Sequence, residues 1–164
     1  MKIEVLNEEH DSSSFRCGEK DLDRYLKRFA LSNGQEGYGT TFVATESGRD
    51  IQGYYTLSNS RVSVTSMPSE EQEGMPRYDV PSVLLAKLAV HREFQGRGLG
   101  RILLFDAFHR FLAIGRLSGA RLFEVDALNE SAKAFYLARG FADLLDDPLH
   151  LYITKHRVAA IVGM

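Results

Sequence analysis

The chain has 164 residues, of which 44% are hydrophobic and 26% charged, the balance of an ordinary folded protein and too apolar for a disordered one. At roughly one domain per 150 residues, this length sets the expectation of a single domain spanning residues 1–164. Twenty Lys plus Arg against 22 Asp plus Glu leave a formal net charge of −2, so the overall balance demands neither nucleic acid nor an anionic membrane as partner, and only a local basic face stays open.

In chain order, Ile3, Val5 and Phe15 mark a short strand-like start, and Leu22, Tyr25, Leu26, Phe29 and Ala30 recur at helical spacing just after Gly18. Runs 40–44 and 51–57, rich in β-branched and aromatic residues, predict two antiparallel strands joined by a hairpin turn at Gly48. Residues 66–81 carry three prolines, a glycine and three glutamates, which predicts a polar loop. Residues 83–90 form a nearly continuous apolar run with Lys87 inside it, as in a strand buried on both faces.

Residues 99–117 then read as a long helix with two apolar sides: Leu99, Ile102, Leu103 and Ala107 on one, Leu104, Phe108, Phe111 and Leu112 on the other. Residues 122–127 predict a strand, 130–139 a short helix stopped by Gly140, and 149–154 a last strand. Strand, glycine loop, helix and strand make one crossover unit, so strands 83–90 and 122–127 are expected to be parallel neighbours.

The single cysteine, Cys17, has no intramolecular disulfide partner, and the five histidines show no zinc-site spacing, so no metal is expected. The first residues hold no apolar signal-peptide core, and no run of 18 apolar residues occurs in the rest of the chain. These features set the expectation of a cytoplasmic protein without a membrane partner.

Between the apolar strand and the long helix lies Gln95-Gly96-Arg97-Gly98-Leu99-Gly100. Glycines there let successive N–H groups converge at a helix start, which suits a diphosphate as well as it suits a tight turn. A P-loop needs Gly-Lys-Ser or Gly-Lys-Thr after a four-residue gap, and none is present; the dinucleotide fingerprint needs a third glycine where Arg101 stands.

Gln95, two residues, Gly98, one residue and Gly100 fit the remaining pattern, which resembles the pyrophosphate motif of the GNAT superfamily of acyl-CoA-dependent N-acetyltransferases. The run Asn129 to Phe141, with Ala134, Phe135, Tyr136 and Gly140, is similar to that family's second signature. Phe15 to Gly18 with Leu22 and Asp23, Gly53 to Leu57, and Lys87 to Val90 extend the likeness to the TacT-type toxins. The resemblance implies an α/β (α+β) fold with a mixed, mostly antiparallel sheet flanked by helices, and a splayed parallel strand pair at the acyl-CoA site. It also implies acetyl-CoA as acyl donor, the α-amino group of aminoacyl-tRNA as acceptor, and a ribbon-helix-helix antitoxin as partner; a homodimer is a further candidate.

By the same resemblance, the main-chain amides of Gln95, Gly96, Arg97, Gly98, Gly100 and Arg101 hold the CoA diphosphate, with Arg97 or Arg101 reaching its oxygens. Leu88, Ala89 and Val90 lend backbone groups to the pantetheine arm. Asn129 reads on spacing as a helix N-cap and by resemblance as a pantetheine contact. Tyr136 is the expected general acid on the leaving thiolate: it lies about 100° around the helix from Phe135, so burying Phe135 turns Tyr136 elsewhere.

No base stands out; Glu124 and Asp126 share a strand face, and a structural role suits them better. An α-amine titrates near 7.7–8.0 and is partly neutral at pH 7, whereas a lysine amine near 10.4 is not, which favours an α-amino acceptor. Arg77, Lys87 and Arg92 belong to a locally basic stretch and are candidate substrate contacts. Two other readings remain: transfer to a small-molecule or peptide amine, and a non-catalytic acetyl-CoA-binding or partner-docking module.

Overall fold

The structure is a computed structural model describing residues 1–163. Its strands are β1 (Lys2–Val5), β2 (Thr40–Thr45), β3 (Ile51–Val62), β4 (Val80–Val90), β5 (Leu122–Asp126), β6 (Ala142–Asp143) and β7 (His150–Thr154). They form a sheet in the order β1-β2-β3-β4-β5-β7-β6. The pairs β1/β2, β2/β3, β5/β7 and β6/β7 are antiparallel and β4/β5 is parallel, giving the mixed, mostly antiparallel sheet that was anticipated. The helices are α1 (Lys20–Arg24), α2 (Ala30–Glu36), α3 (Ser69–Gln72), α4 (Leu99–Ser118), α5 (Glu130–Leu137) and α6 (Lys155–Val162).

The chain divides into two compact units: residues 1–58 with 86–107, and residues 59–85 with 108–163. In the first unit, Phe15, Leu26, Ala30, Val43, Ile51, Tyr54 and Ala89 make a buried cluster against which Leu6, Cys17, Leu22 and Tyr25 pack. Each large side chain removed from water here contributes about 1.5–3 kcal/mol. The Tyr54 hydroxyl donates to the Leu22 carbonyl at 2.7 Å, so the buried phenol keeps a partner. Gly53 is dictated by packing: a Cβ there would lie 2.9 Å from Leu103 Cδ1 and 3.1 Å from the Ala89 oxygen.

The second unit has a separate cluster of Val62, Val64, Met67, Val80, Leu122, Leu144 and Tyr152. Phe111 stacks on Phe123 with centroids 4.9 Å apart, and Phe108 and Phe141 close around the same ring. The parallel register of β4 and β5 runs from Ser82↔Leu122 to Leu85↔Val125, as the crossover unit required.

Several expectations are corrected. The helix expected through Leu22, Tyr25, Leu26, Phe29 and Ala30 is not one α-helix; a π turn over Tyr25–Phe29 joins α1 to α2. Phe15 is buried in a loop rather than in a strand. β4 is fully buried on both faces only at Ser82 and Val83: Leu84, Ala86, Lys87, Leu88 and Val90 are half-buried and Pro81 is exposed. α4 buries Leu99, Leu103 and Ala107 on one of the two expected sides and Leu104, Phe108, Phe111 and Leu112 on the other; of that set Ile102 alone is exposed.

The loop at 66–81 holds α3 and buries Met67 completely. β3 runs five residues past Leu57, to Val62. β6 and α6 had no counterpart in the sequence reading. No helix among the described residues is long and apolar enough to cross a membrane.

Candidate active site

In the first unit, β4 leads through His91 and a 3-10 turn (Arg92–Phe94) into the glycine loop and α4. Two neighbouring segments pin this connection. The His91 amide donates to the Gln52 carbonyl and the Arg92 amide to the Arg16 carbonyl, both at 2.8 Å. The Arg16 amide donates to His91 Nδ1 at 3.0 Å, so that nitrogen is the acceptor and the ring's proton sits on Nε2.

The Gln95 side chain folds back rather than outward. Its Nε2 donates to the Val90 carbonyl at 2.9 Å and to the Cys17 carbonyl at 2.8 Å, using both amide protons to tie the loop to the strand end. Gln95 therefore shapes the loop through its side chain, and its main-chain N–H also turns inward, donating to the Arg92 carbonyl at 3.4 Å, which leaves anion contact to the amides that follow it.

Beyond Gln95, Gly96 and Gly98 take φ of 77° and 83°. A Cβ at either would meet nothing within 4 Å, so it is the left-handed backbone and not crowding that calls for glycine. The Ile102 amide makes the bond to the Gly98 carbonyl at 3.1 Å. The N–H groups of Leu99, Gly100 and Arg101 therefore precede the first intrahelical bond and open the positive end of a 20-residue helix dipole. A left-handed glycine turn running into such a helix start fits a compact diphosphate. Arg97 lies beside it, its guanidinium over the Phe94 ring with 5.6 Å to the centroid.

Asn129, Tyr136, Glu124, Asp126 and Arg77 belong to the second unit. Asn129 Oδ1 accepts the Ala132 amide at 2.9 Å, so it caps α5 as its spacing predicted. Tyr136 reverses the expectation from the helical wheel: it is the buried ring, 6% exposed, while Phe135 is half-buried. The Phe141 and Phe135 rings stand edge-on to it, 5.3 Å and 5.2 Å away. Burial pushes the Tyr136 hydroxyl well above the ordinary phenol range, so it stays a protonated donor. α5 ends at Leu137 and the turn after it closes at Gly140, φ 105°, where a Cβ would also crowd Ile161 and Arg157 at 3.0 Å and 3.2 Å.

Glu124 is buried on β5 and fully engaged. It accepts the Ser82 hydroxyl at 2.6 Å, and His150 Nε2 sits 2.5 Å from its other oxygen. His150 Nδ1 meets Asp146 at 2.9 Å. Burial works against the imidazolium, but the hydrogen bonds to Glu124 and Asp146, with the charges of Asp126 and Asp146, outweigh it and raise the His150 pKa. Glu124 is thus a structural ion-pair partner, while Asp126 is exposed.

The three candidate substrate cations part company. Arg77 bonds Gln72 Oε1 at 3.3 Å in the second unit. Lys87 lies over the Tyr25 ring, 5.0 Å from its centroid. Arg92 lines an open groove of about 690 Å³ in the first unit together with Arg16, Lys20, Arg24, Lys27 and Arg28. Those five cations were missed by the sequence reading, although the 20, 24, 27, 28 spacing is that of a basic stripe along a helix.

Comparison with known proteins agrees with this geometry. The family model described as an acetyltransferase (GNAT) domain matches residues 37–143. A tRNA-acetylating toxin of Mycobacterium tuberculosis is 38% identical over 158 residues, covering 96% of this chain and 94% of that protein. The structure of AtaT complexed with acetyl-methionyl-tRNAfMet superimposes with a TM-score of 0.91 at 28% identity, covering 98% of both chains. A mutant AtaT toxin bound to the C-terminus of the antitoxin AtaR and acetyl-CoA gives 0.84 at 25% identity, covering 99% of this chain and 98% of the other.

Proposed function

This chain belongs to the GNAT acetyltransferase family, and from that premise we propose that its whole length works as one N-acetyltransferase domain that carries acetyl from acetyl-CoA to the α-amino group of an aminoacyl-tRNA. Such an enzyme is the toxin of a toxin–antitoxin pair, acting in the cytoplasm where charged tRNA is used and held in check by an antitoxin. The acceptor reading rests on similarity to a tRNA-acetylating toxin across nearly the entire chain. The donor reading is carried by one observation: a left-handed glycine turn opening α4, which suits a diphosphate.

In this proposal the amides of residues 96–101 bind the CoA diphosphate, with Arg97 and Arg101 adding charge. The main chain of Leu88, Ala89 and Val90 pairs with the pantetheine arm as an added strand would, and Asn129 contributes to the same arm. Acetyl-CoA supplies an activated thioester carbonyl. The amine nitrogen forms the new C–N bond, the C–S bond breaks, the thiolate takes a proton from the Tyr136 hydroxyl, and the amine's surplus proton passes to water, which returns a proton to the tyrosine. Burial holds the Tyr136 phenol protonated, so it has a proton to give.

The deciding experiment incubates purified protein with acetyl-CoA and charged tRNA and follows acetyl-aminoacyl-tRNA by mass spectrometry. Wild type forms the adduct, and Tyr136→Phe lowers kcat by about 10² to 10⁴. An unchanged kcat removes Tyr136 from the mechanism, and no adduct from any charged tRNA removes the acceptor.

A further inference from the structure

The basic groove of the first unit is built for an extended anion. Lys20 and Arg24 project from α1 and Lys27 and Arg28 from the π turn, and Arg16 and Arg92 complete the lining; all six are exposed. Two carboxylates share the wall, and both have partners of their own. Asp21 lies 3.0 Å from Arg24, and Asp23 accepts the Cys17 amide at 2.9 Å. The charge of Lys20, Lys27 and Arg28 is therefore not cancelled within the groove. Like charges gathered this closely repel one another, and a polyanion relieves that repulsion while releasing its own counterions.

The groove is also stitched to the glycine loop: Arg92 bonds the Arg16 carbonyl, and Gln95 bonds the carbonyl of Cys17, next in sequence to Arg16. The two anion-binding features differ in kind. The loop offers fixed main-chain N–H groups to a compact diphosphate. The groove offers long side chains, which suit a run of separate phosphates along a backbone.

We propose that this groove docks the sugar–phosphate backbone of the RNA substrate, an inference that rests on the aminoacyl-tRNA reading above. The test compares wild type, Lys20→Gln/Lys27→Gln/Arg28→Gln, and the charge-preserving Lys20→Arg/Lys27→Arg/Arg28→Lys, with thermal melts confirming that each folds. Binding of fluorescent deacylated tRNA is followed over a range of salt concentrations, and acetyl-CoA binding is followed by calorimetry. The neutral variant is expected to bind tRNA at least about tenfold more weakly, with the slope of log affinity against log salt smaller by about 2 to 3. The charge-preserving variant keeps the wild-type slope, and acetyl-CoA affinity stays within about twofold in both, because main-chain amides carry the donor's diphosphate.

Equal tRNA affinity and slope in all three proteins would overturn the proposal. So would a loss confined to acetyl-CoA, which would assign these cations to the donor's own phosphates. A wild type that binds tRNA through these residues yet acetylates no charged tRNA would refute the acceptor and uphold the groove. Acetylation at an unchanged KM in the neutral variant would refute the groove alone.

Discussion

His150 sits between Glu124 and Asp146, and that placement decides the sign of a pH effect. Its folded pKa is raised from 6.5, so the stability it contributes is fully present below about 6.5 and is lost as pH rises through the folded value. His150→Gln also leaves the buried Glu124 carboxylate without its cation. The melting temperature of this variant should therefore fall furthest below wild type near pH 6, with the gap closing toward pH 9. Melts across that range check this, and a constant gap would refute the ion pair as its source. None of it was legible beforehand, because Glu124 and His150 lie 26 residues apart and meet only through β5/β7 pairing. The same limit applies to Tyr136 and Phe135: a helical wheel separates two adjacent rings, but which one is buried depends on Phe141 and the packed wall behind it.

Elements were legible where their signals are local. The Asn129 cap follows from an Asx residue placed just before a helical pattern, and the structure contains it. Asn129→Ala should cost about 1 kcal/mol in urea unfolding and Asn129→Asp much less, since a carboxylate accepts the Ala132 amide equally well. An unchanged KM for acetyl-CoA in both variants would leave Asn129 a cap and nothing more. The missed α6 had similar signals: Thr154 accepts the Arg157 amide at 3.2 Å and Gly163 ends the helix at φ 79°. Its opening, Lys155-His156-Arg157, conceals a pattern whose buried residue is Val158. The π turn between α1 and α2 had no signal of its own, because one extra residue in a turn leaves the apolar spacing nearly intact.

Across the whole molecule, a net charge of −2 coexists with a groove that gathers six cations against two carboxylates. The sum was a fair guide to bulk behaviour and a poor one to surface chemistry, because the total carries no information about where charges lie. Ligand linkage offers a test at the same scale. Acetyl-CoA at about 100 times its Kd should raise the unfolding free energy by about 2.7 kcal/mol, visible as an upward shift in melting temperature. The absence of a shift with either acetyl-CoA or CoA would remove the glycine turn from the binding site. By itself, the sequence determined the features set by neighbours along the chain: the alternating and helical apolar periods, the Asn129 cap, the crossover order that makes β4 and β5 parallel, and the glycine turn before α4 with the family it points to. Only the tertiary structure decided the partnership of Glu124 with His150, the burial of Tyr136, the inward fold of the Gln95 amide, and the assembly of Arg16 and Arg92 with the cations at 20–28. The reason is physical: each of these depends on residues brought together by strand pairing and packing, whose separation along the chain leaves no periodic trace.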